Sequence, residues 1–257
     1  MTLTKEKRTE LAECLLDMGA LLLDCGAEIS RVEDTLCRMG KAYGARHVDA
    51  FVITSIISLT LEFPNEEPLT ETRRIYSSTG TDFHRLEDLN RISRSCCQSP
   101  LPPEELRNSL QKVSEGRKPF SVILVGSILA AGAFSIFFGG SFPDAVAAVV
   151  FAVCISFLQK HFENYQVTPV GSNLLISFFI GLGAGLLCLL IPSLHMDKIL
   201  IGDIMLLIPG LAMTNSIRNM LGGNTISGMI RLTESLIWAF ALAGGFMIAI
   251  RIIDLLS

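Results

Sequence analysis

Residues 115–142 read EGRKPFSVILVGSILAAGAFSIFFGGSF. A basic, proline-marked junction (Arg117, Lys118, Pro119) gives way to an uncharged run from Phe120 to Phe142. Crossing about 30 Å of hydrocarbon takes about 20 mostly apolar residues, so this run has the length and character of a membrane span. The change at residue 118 divides the whole chain. Of its 21 Lys and Arg and 25 Asp and Glu residues, 35 fall in positions 1–118 and 11 in the 139 that follow. Those 11 are spaced widely enough to leave further apolar runs at Ala145–Gln159 and Leu174–Leu194, with Ile199–Ile217 and Leu236–Ile250 almost free of charge. The expected architecture is an α-helical integral membrane bundle of about five spans preceded by a small α+β cytoplasmic domain, with the domains at 1–118 and 119–257.

The formal net charge of −4 is small and of mixed sign, and no stretch interleaves Lys and Arg with aromatics. Nucleic acid is therefore not an expected partner. The first 13 residues carry Lys5, Lys7, Arg8 and three glutamates where a secretory signal would carry an apolar core, so the N-terminal domain is expected to stay on the side where it is made. None of the seven cysteines forms a Cys-x-x-Cys pair, and adjacent Cys96 and Cys97 rarely close a disulfide without strain. A reducing compartment fits. His47, His84, His161 and His195 also lack ligand spacing, so neither metal nor cofactor is expected.

Within the first domain, Leu11, Leu15, Met18 and Leu22 recur every three or four residues, as do Ile29, Val32, Leu36 and Met39. These periods predict amphipathic helices over Lys5–Asp24 and Glu28–Tyr43, with Cys25-Gly26 as the stop between them. Val48–Phe63 is rich in β-branched and aromatic residues and precedes a turn at Asn65 and Pro68, while Thr70–Thr79 resumes a β-like pattern. Arg85–Cys96 and Glu104–Val113 read as helices separated by Pro100, Pro102 and Pro103. The segment Gly26–Thr35 gathers Glu28, Arg31, Glu33 and Asp34, which could serve as an acid/base cluster. The simpler account is structural: acids in a first helical turn complement the macrodipole, and Glu28 with Arg31 makes an i,i+3 pair.

The five expected spans cover about 120–139, 143–161, 173–193, 199–219 and 227–252. Lys112, Arg117, Lys118, Lys160, His161, Arg218 and Arg231 fall on one side, while the opposite loops offer Asp144, Asp197 and Lys198. The positive-inside rule puts the N-terminal domain in the cytoplasm and the C-terminus outside, Arg251 being the exception. Gly181, Gly183 and Gly185, Ala148 with Ala152, and Ala241 with Gly245 are spaced for close helix packing.

The polar chemistry of the membrane domain lies between Asp203 and Glu234. Asp203 interrupts an apolar run, Pro209-Gly210 follows, and then come Thr214, Asn215, Ser216, Arg218 and Asn219. Proline removes a backbone donor and glycine permits local unwinding, which predicts a helix broken near mid-membrane, with free backbone groups of the kind transporters use to hold polar solutes. Gly222–Gly228, including Asn224, reads as a turn and cap before Arg231 and Glu234, one helical turn apart. Ionisable residues within a span cost roughly 2.5–3.5 kcal/mol on insertion scales and so mark function by default. That reading applies to Asp203 and, by its polarity, to Asn215. Arg218, Arg231 and Glu234 can equally sit at the cytoplasmic interface and extend toward water.

Taken together, Gly26-Ala27-Glu28, Arg31–Thr35, Ile208–Arg218, Ser227-Gly228 and Arg231–Glu234 give a pattern that resembles the bacterial threonine/serine exporter family, in order and over nearly the whole chain. The resemblance implies a secondary transporter, not an enzyme, exporting small polar metabolites. Threonine and serine are the family's founding substrates, and a dicarboxylate such as succinate is the cargo of some split members. The long form in that family has a cytoplasmic N-terminal domain and about ten spans, each of about 20 residues. This chain looks like the first half of a split form, which would require a second small membrane subunit. The matching positions are Pro209, Gly210, Asn215, Arg218, Gly228, Arg231 and Glu234. Asn219 and Asn224 depart, since the family commonly has aspartate there, so a proton-carrying role would pass to Asp203 or Glu234.

Two functions follow. One is a carrier subunit in the cell membrane, with self-association as a further expected partnership, in which an intramembrane carboxylate that is costly to charge exchanges a proton for solute. The other is a membrane-tethered signalling or enzymatic protein acting through residues 1–118. No nucleophile, metal cluster or phosphate loop stands out there. A passive channel is a third arrangement compatible with the spans.

Overall fold

The computed structural model describes residues 4–75, 81–116, 119–165 and 167–256. Arg117 and Lys118, two of the expected orienting charges, lie outside the described residues, as does the β-like run from Tyr76 to Thr79. The chain divides into two compact units: Met1–Arg117 with Leu211–Leu232, and Lys118–Gly210 with Thr233–Ser257.

The first unit begins with α1 (Lys5–Asp24) and α2 (Ile29–Ala42), followed by β1 (His47–Ile53), β2 (Ile56–Glu62), β3 (Leu69–Arg74), α3 (Phe83–Gln98) and α4 (Pro103–Glu115). The eight apolar positions that set the helical periods are its core: Leu11, Leu15, Met18, Ile29, Val32, Leu36 and Met39 are fully buried and Leu22 nearly so. Each such side chain contributes about 1.5–3 kcal/mol of transfer free energy. Gly26, at φ 83°, ends α1: its N–H donates to the Leu23 carbonyl and that of Ala27 to Leu22, both at 3.0 Å. This is the left-handed stop expected of Cys25-Gly26.

The β-rich stretch resolves into a hairpin, with Val52 opposite Ile57 and Val48 opposite Leu61, and β3 adds to the far edge of β2 in an antiparallel sheet of order β1-β2-β3. Side chains on β2 alternate, so Ile57, Leu59 and Leu61 are fully buried. A Cβ on Gly19 would stand 2.9 Å from Ile57 Cδ1 and one on Gly40 2.8 Å from Val48 Cγ2, so α1 and α2 lie close on the sheet because these positions lack side chains. Helix α3 starts at Phe83, earlier than its apolar period indicated, because the Asp82 carboxylate accepts from the N–H groups of His84 and Arg85.

The second unit contains α5 (Phe120–Phe137), α6 (Phe142–Asn164), α7 (Pro169–Leu190), α8 (Met196–Leu207) and most of α10 (Thr225–Leu256). Among the described residues, α5, α6, α7 and α10 are each long and apolar enough to cross a membrane, with mean hydropathy of 1.9–2.2. A fifth span is possible by joining α8 to α9 (Gly210–Leu221), which are bent by 50° at the Ile208-Pro209 break. The helix break foreseen at Pro209-Gly210 is therefore present. Large apolar side chains cover the outside of these helices, Phe137 being 78 % and Leu190 80 % exposed. Water does not tolerate so large an apolar surface on a folded chain, whereas hydrocarbon does. This is a mostly helical, multi-pass membrane protein.

Small residues bring the spans together, as their spacing indicated. A Cβ on Gly181 would stand 2.9 Å from Ala249 Cβ and 3.0 Å from Phe246 Cδ1, and one on Gly185 2.8 Å from Ile253 Cδ1. Gly245 lies in the same way against the α7 backbone, 2.9 Å from Phe178 N. Gly183 faces elsewhere, toward Phe151 of α6. Ala148, Ala152 and Ala184 are fully buried. In hydrocarbon, such close approach supplies the dispersion contacts that hold helices together.

Candidate functional site

The predicted site residues fall into separate places in the fold. Asp203 lies in the second unit, on α8, fully buried, and among the described residues neither carboxylate oxygen has a hydrogen-bond partner. It sits beside Gly202, whose missing side chain lets α8 approach α5: a Cβ there would be 2.7 Å from the Ala131 carbonyl oxygen and 3.2 Å from Ser135 Cβ. An unpaired buried polar group costs about 1–3 kcal/mol, more if charged, so this carboxylate is held at a substantial free-energy cost.

Asn215, Arg218, Asn219, Asn224 and Arg231 belong to the first unit, on the hairpin formed by α9 and the start of α10. The turn between the helices is built by its glycines. Gly223, at φ 92°, donates to the Met220 carbonyl at 3.2 Å, and the Asn224 N–H donates to the Asn219 carbonyl at 2.9 Å. That pair of bonds ends α9 just as Gly26 ends α1. The Asn224 carbonyl then accepts from Gly228 N at 3.0 Å as α10 begins. Asn224 thus occupies a helix-entry position, where Asn and Asp are equally good residues. A Cβ on Gly228 would stand 2.7 Å from the Ser216 carbonyl and 3.0 Å from Met220 N, so the hairpin closes tightly at that point.

The hairpin buries a polar set: Ser216, Asn219, Ser227 and Arg231. Ser216 donates to the Ala212 carbonyl at 2.6 Å, and among the described residues the Asn219 amide nitrogen has no hydrogen-bond partner. Glu234, expected to work beside Arg231, is exposed, as are Arg218 and Gly210, while Asn215 and Pro209 are half-buried. Residues i and i+3 sit about 60° apart around a helix, enough to bury Arg231 and leave Glu234 outside.

The N-terminal motif also separates into roles. Helix α2 starts at Ile29, so Glu28 is its entry residue and not part of an acidic first turn. Its carboxylate pairs with Arg218, 2.5 Å away and 190 positions later, rather than with Arg31. Arg31 is exposed. Glu33 accepts from the Val52 N–H at 3.2 Å, fastening α2 to β1. Burial pushes its carboxyl above the ordinary carboxylate range against the opposing effect of that hydrogen bond. These contacts support a structural reading of the cluster over an acid/base one. Two polar residues outside the predicted site stand out in the structure: Ser135, fully buried on α5, and Asp144, expected as a loop charge but fully buried in the first turn of α6. Their signal in the sequence is a polar residue inside or at the lip of an apolar run.

The ThrE family model, that of threonine/serine exporters, matches residues 13–253. The threonine/serine exporter of Corynebacterium glutamicum is 23 % identical over 253 residues, which cover 93 % of this chain and 50 % of that protein. The chain therefore spans half the length of that relative. The probable succinate transporter subunit YjjP of Klebsiella aerogenes is 23 % identical over 245 residues (94 % of this chain, 91 % of that protein). That of Escherichia coli is 22 % identical over 250 residues, or 97 % and 96 %. No solved structure matches the chain. The matched region runs from α1 through α10 and takes in both the Gly26–Thr35 motif and the broken helix with its polar hairpin, so the chain belongs to the threonine/serine exporter family.

Proposed function

We propose that this chain is one subunit of a secondary active exporter of small polar metabolites, of the threonine/serine type or a dicarboxylate such as succinate. It resides in the cell membrane with residues 1–118 on the cytoplasmic side and is driven by the proton gradient. The observation that carries this reading is the fully buried Asp203 carboxylate, unpartnered among the described residues, inside an apolar helix of an exporter-family chain. A carboxylate so placed binds a proton as the cheapest way to lose its charge, and proton uptake and release can then be exchanged for solute. The helix is broken at Pro209-Gly210, and Asn215, Asn219 and Arg231 carry donors suited to a carboxylate-bearing solute. Arg218, Asn224 and Glu234 complete the set proposed to line or gate the route.

A second small membrane subunit fits two facts about the relatives. The Corynebacterium exporter is about twice as long as the matched region, and the YjjP proteins of similar length are named subunits. Residues 1–118 act in this proposal as a regulatory or assembly domain, with Gly26, Glu28, Arg31 and Glu33 shaping its first helices.

The test is export of preloaded labelled serine, threonine and succinate from cells expressing the chain alone and with a small membrane partner. Efflux that needs both proteins, collapses with the proton gradient and is lost in Asp203→Asn at unchanged membrane levels is expected. Absence of efflux for all three solutes under both conditions would shift the function to signalling through the N-terminal residues.

A further inference from the structure

In the first unit, α1 and α4 lie against each other. Cys14 Sγ donates to the Pro103 carbonyl at 3.5 Å, and Arg107 Nη2 donates to the Glu13 carboxylate at 2.8 Å. Beside these contacts the seam opens into a cavity of about 230 Å³, lined by Asp17 and Leu21 of α1 and by Arg107, Leu110, Gln111 and Ser114 of α4. The spacing is that of one face on each helix: i and i+4 on α1, and i, i+3, i+4 and i+7 on α4. Leu110 is buried and Leu21 half-buried, so two leucines lie beneath a ring of charged and polar groups that reach solvent. Pockets for drug-sized ligands run to about 300–1,000 Å³, so this one suits a smaller molecule.

The charges of this groove balance. Arg107 pairs with Glu13 and Arg73 with Asp17, between side chains that are 33–48 % exposed. Ion pairs open to water in this way are worth about 0–1 kcal/mol, so a ligand that offers both charges at once competes with them. A guanidinium has five N–H donors, and the contact with Glu13 leaves others for a carboxylate. Glu13 and Asp17 are one helical turn apart, about 5–6 Å between Cβ atoms, so the arginine held by the first stands near the second. We propose that this groove binds a small amino acid as its zwitterion, with Arg107 taking the carboxylate and Asp17 the ammonium. Gln111 donates to Glu115 through its amide nitrogen at 2.9 Å, so its carbonyl oxygen and the Ser114 hydroxyl are left for a short polar side chain. A dicarboxylate does not suit the same groove, because its second carboxylate would face Asp17 and Glu13. Use of the site to report cytoplasmic amino acid to an exporter rests on the function proposed above, whereas the binding itself does not.

The test is calorimetric titration of the detergent-solubilised full chain with L-serine and L-threonine. Three further probes each lack part of the zwitterion: N-acetylserine has no ammonium, serine methyl ester no carboxylate, and succinate carries two carboxylates. Wild type is expected to bind both amino acids and to bind each of the three other probes about tenfold more weakly or less, the effect of one lost charge-assisted hydrogen bond. Arg107→Gln removes the charged donor and Ser114→Trp fills the groove, both at exposed positions outside the core, and each should weaken serine binding by about tenfold or more. Absence of serine and threonine binding, binding unchanged in both variants, or succinate and the capped serines binding as well as serine would overturn the site. Export assays of the same proteins separate this from the function proposed above. If wild type exports neither amino acid nor succinate but its serine binding is lost in both variants, the site stands and its regulatory use falls. Export by a wild-type chain whose serine binding is indifferent to both variants overturns the site and leaves the exporter.

Discussion

Gly244 and Gly245 are neighbours on α10 with opposite surroundings, which makes them a matched pair for measuring what close helix approach contributes. A Cβ on Gly245 would lie 2.9 Å from Phe178 N and closer still to the Leu174 carbonyl oxygen and Ser177 Oγ, whereas one on Gly244 would meet nothing within 4 Å. Ordinary Cβ contacts begin near 3.4 Å, so Gly245→Ala has to push α7 and α10 apart by at least half an ångström, against backbone atoms that cannot rotate away. The same shift loosens the neighbouring contacts of Gly181 with Ala249 and Gly185 with Ile253, because dispersion falls steeply with distance. Overpacking of this kind costs about 1–3 kcal/mol. Gly244→Ala meets no obstacle and gains up to about 1 kcal/mol of helix propensity. Thermal unfolding of the detergent-solubilised chain reads the difference at roughly 2–4 °C per kcal/mol. Gly245→Ala is expected to melt several degrees below wild type and Gly244→Ala at or above it. Equal melting of the two variants would refute the assignment of the α7–α10 contact.

Three further outcomes are expected. The Glu33 carboxyl is raised by burial, so its stabilising contribution is complete below the ordinary glutamate range and is lost as pH rises through its folded-state pKa. Glu33→Gln, which keeps an acceptor oxygen for Val52 N–H, should flatten the pH dependence of melting above about pH 4.3; a slope identical to wild type sinks this. Cys25 is fully buried with its thiol pushed up to about 11, while Cys97 is exposed, so maleimide at neutral pH should modify Cys97 and spare Cys25. Equal labelling of the two by mass spectrometry contradicts the fold of α1. The Glu28–Arg218 pair joins a side chain 22 % exposed to one 60 % exposed, so a double-mutant cycle with Glu28→Gln and Arg218→Gln should give a coupling of only about 0.2–1 kcal/mol. A coupling indistinguishable from zero removes this contact from the unit.

Much of the fold was legible because each signal in the sequence reports a local physical requirement. Leu11, Leu15, Met18 and Leu22 had to share a helix face, and they do so in the core. Gly26 and Pro209 marked chain conformations that other residues resist, and α1 and α8 end where they predicted. The long apolar runs gave the spans for the same reason. The site was less legible because its features are set by tertiary approach. Nothing local says that Glu28 will choose Arg218 over Arg31, three positions away. Nor does i,i+3 spacing reveal that Arg231 is buried while Glu234 is exposed, or that Ser135, one polar residue in an apolar run, will meet Gly202 on another helix.

The Asp144 carboxylate has a mechanical consequence. It caps its own helix through Ser141 and reaches 51 residues along the chain to hold the His195 N–H at 2.8 Å and ring nitrogen at 3.1 Å, while itself fully buried. Parting the first turns of α6 and α8 would take the two His195 bonds from a buried carboxylate and leave it those to Ser141, at a cost of about 1.5–3 kcal/mol per hydrogen bond to the charged group. The two helices are therefore clamped at that end. Any separation of α6 from α8 at that end has first to break these bonds to His195, which makes the junction of the two helices a costly place for the bundle to part.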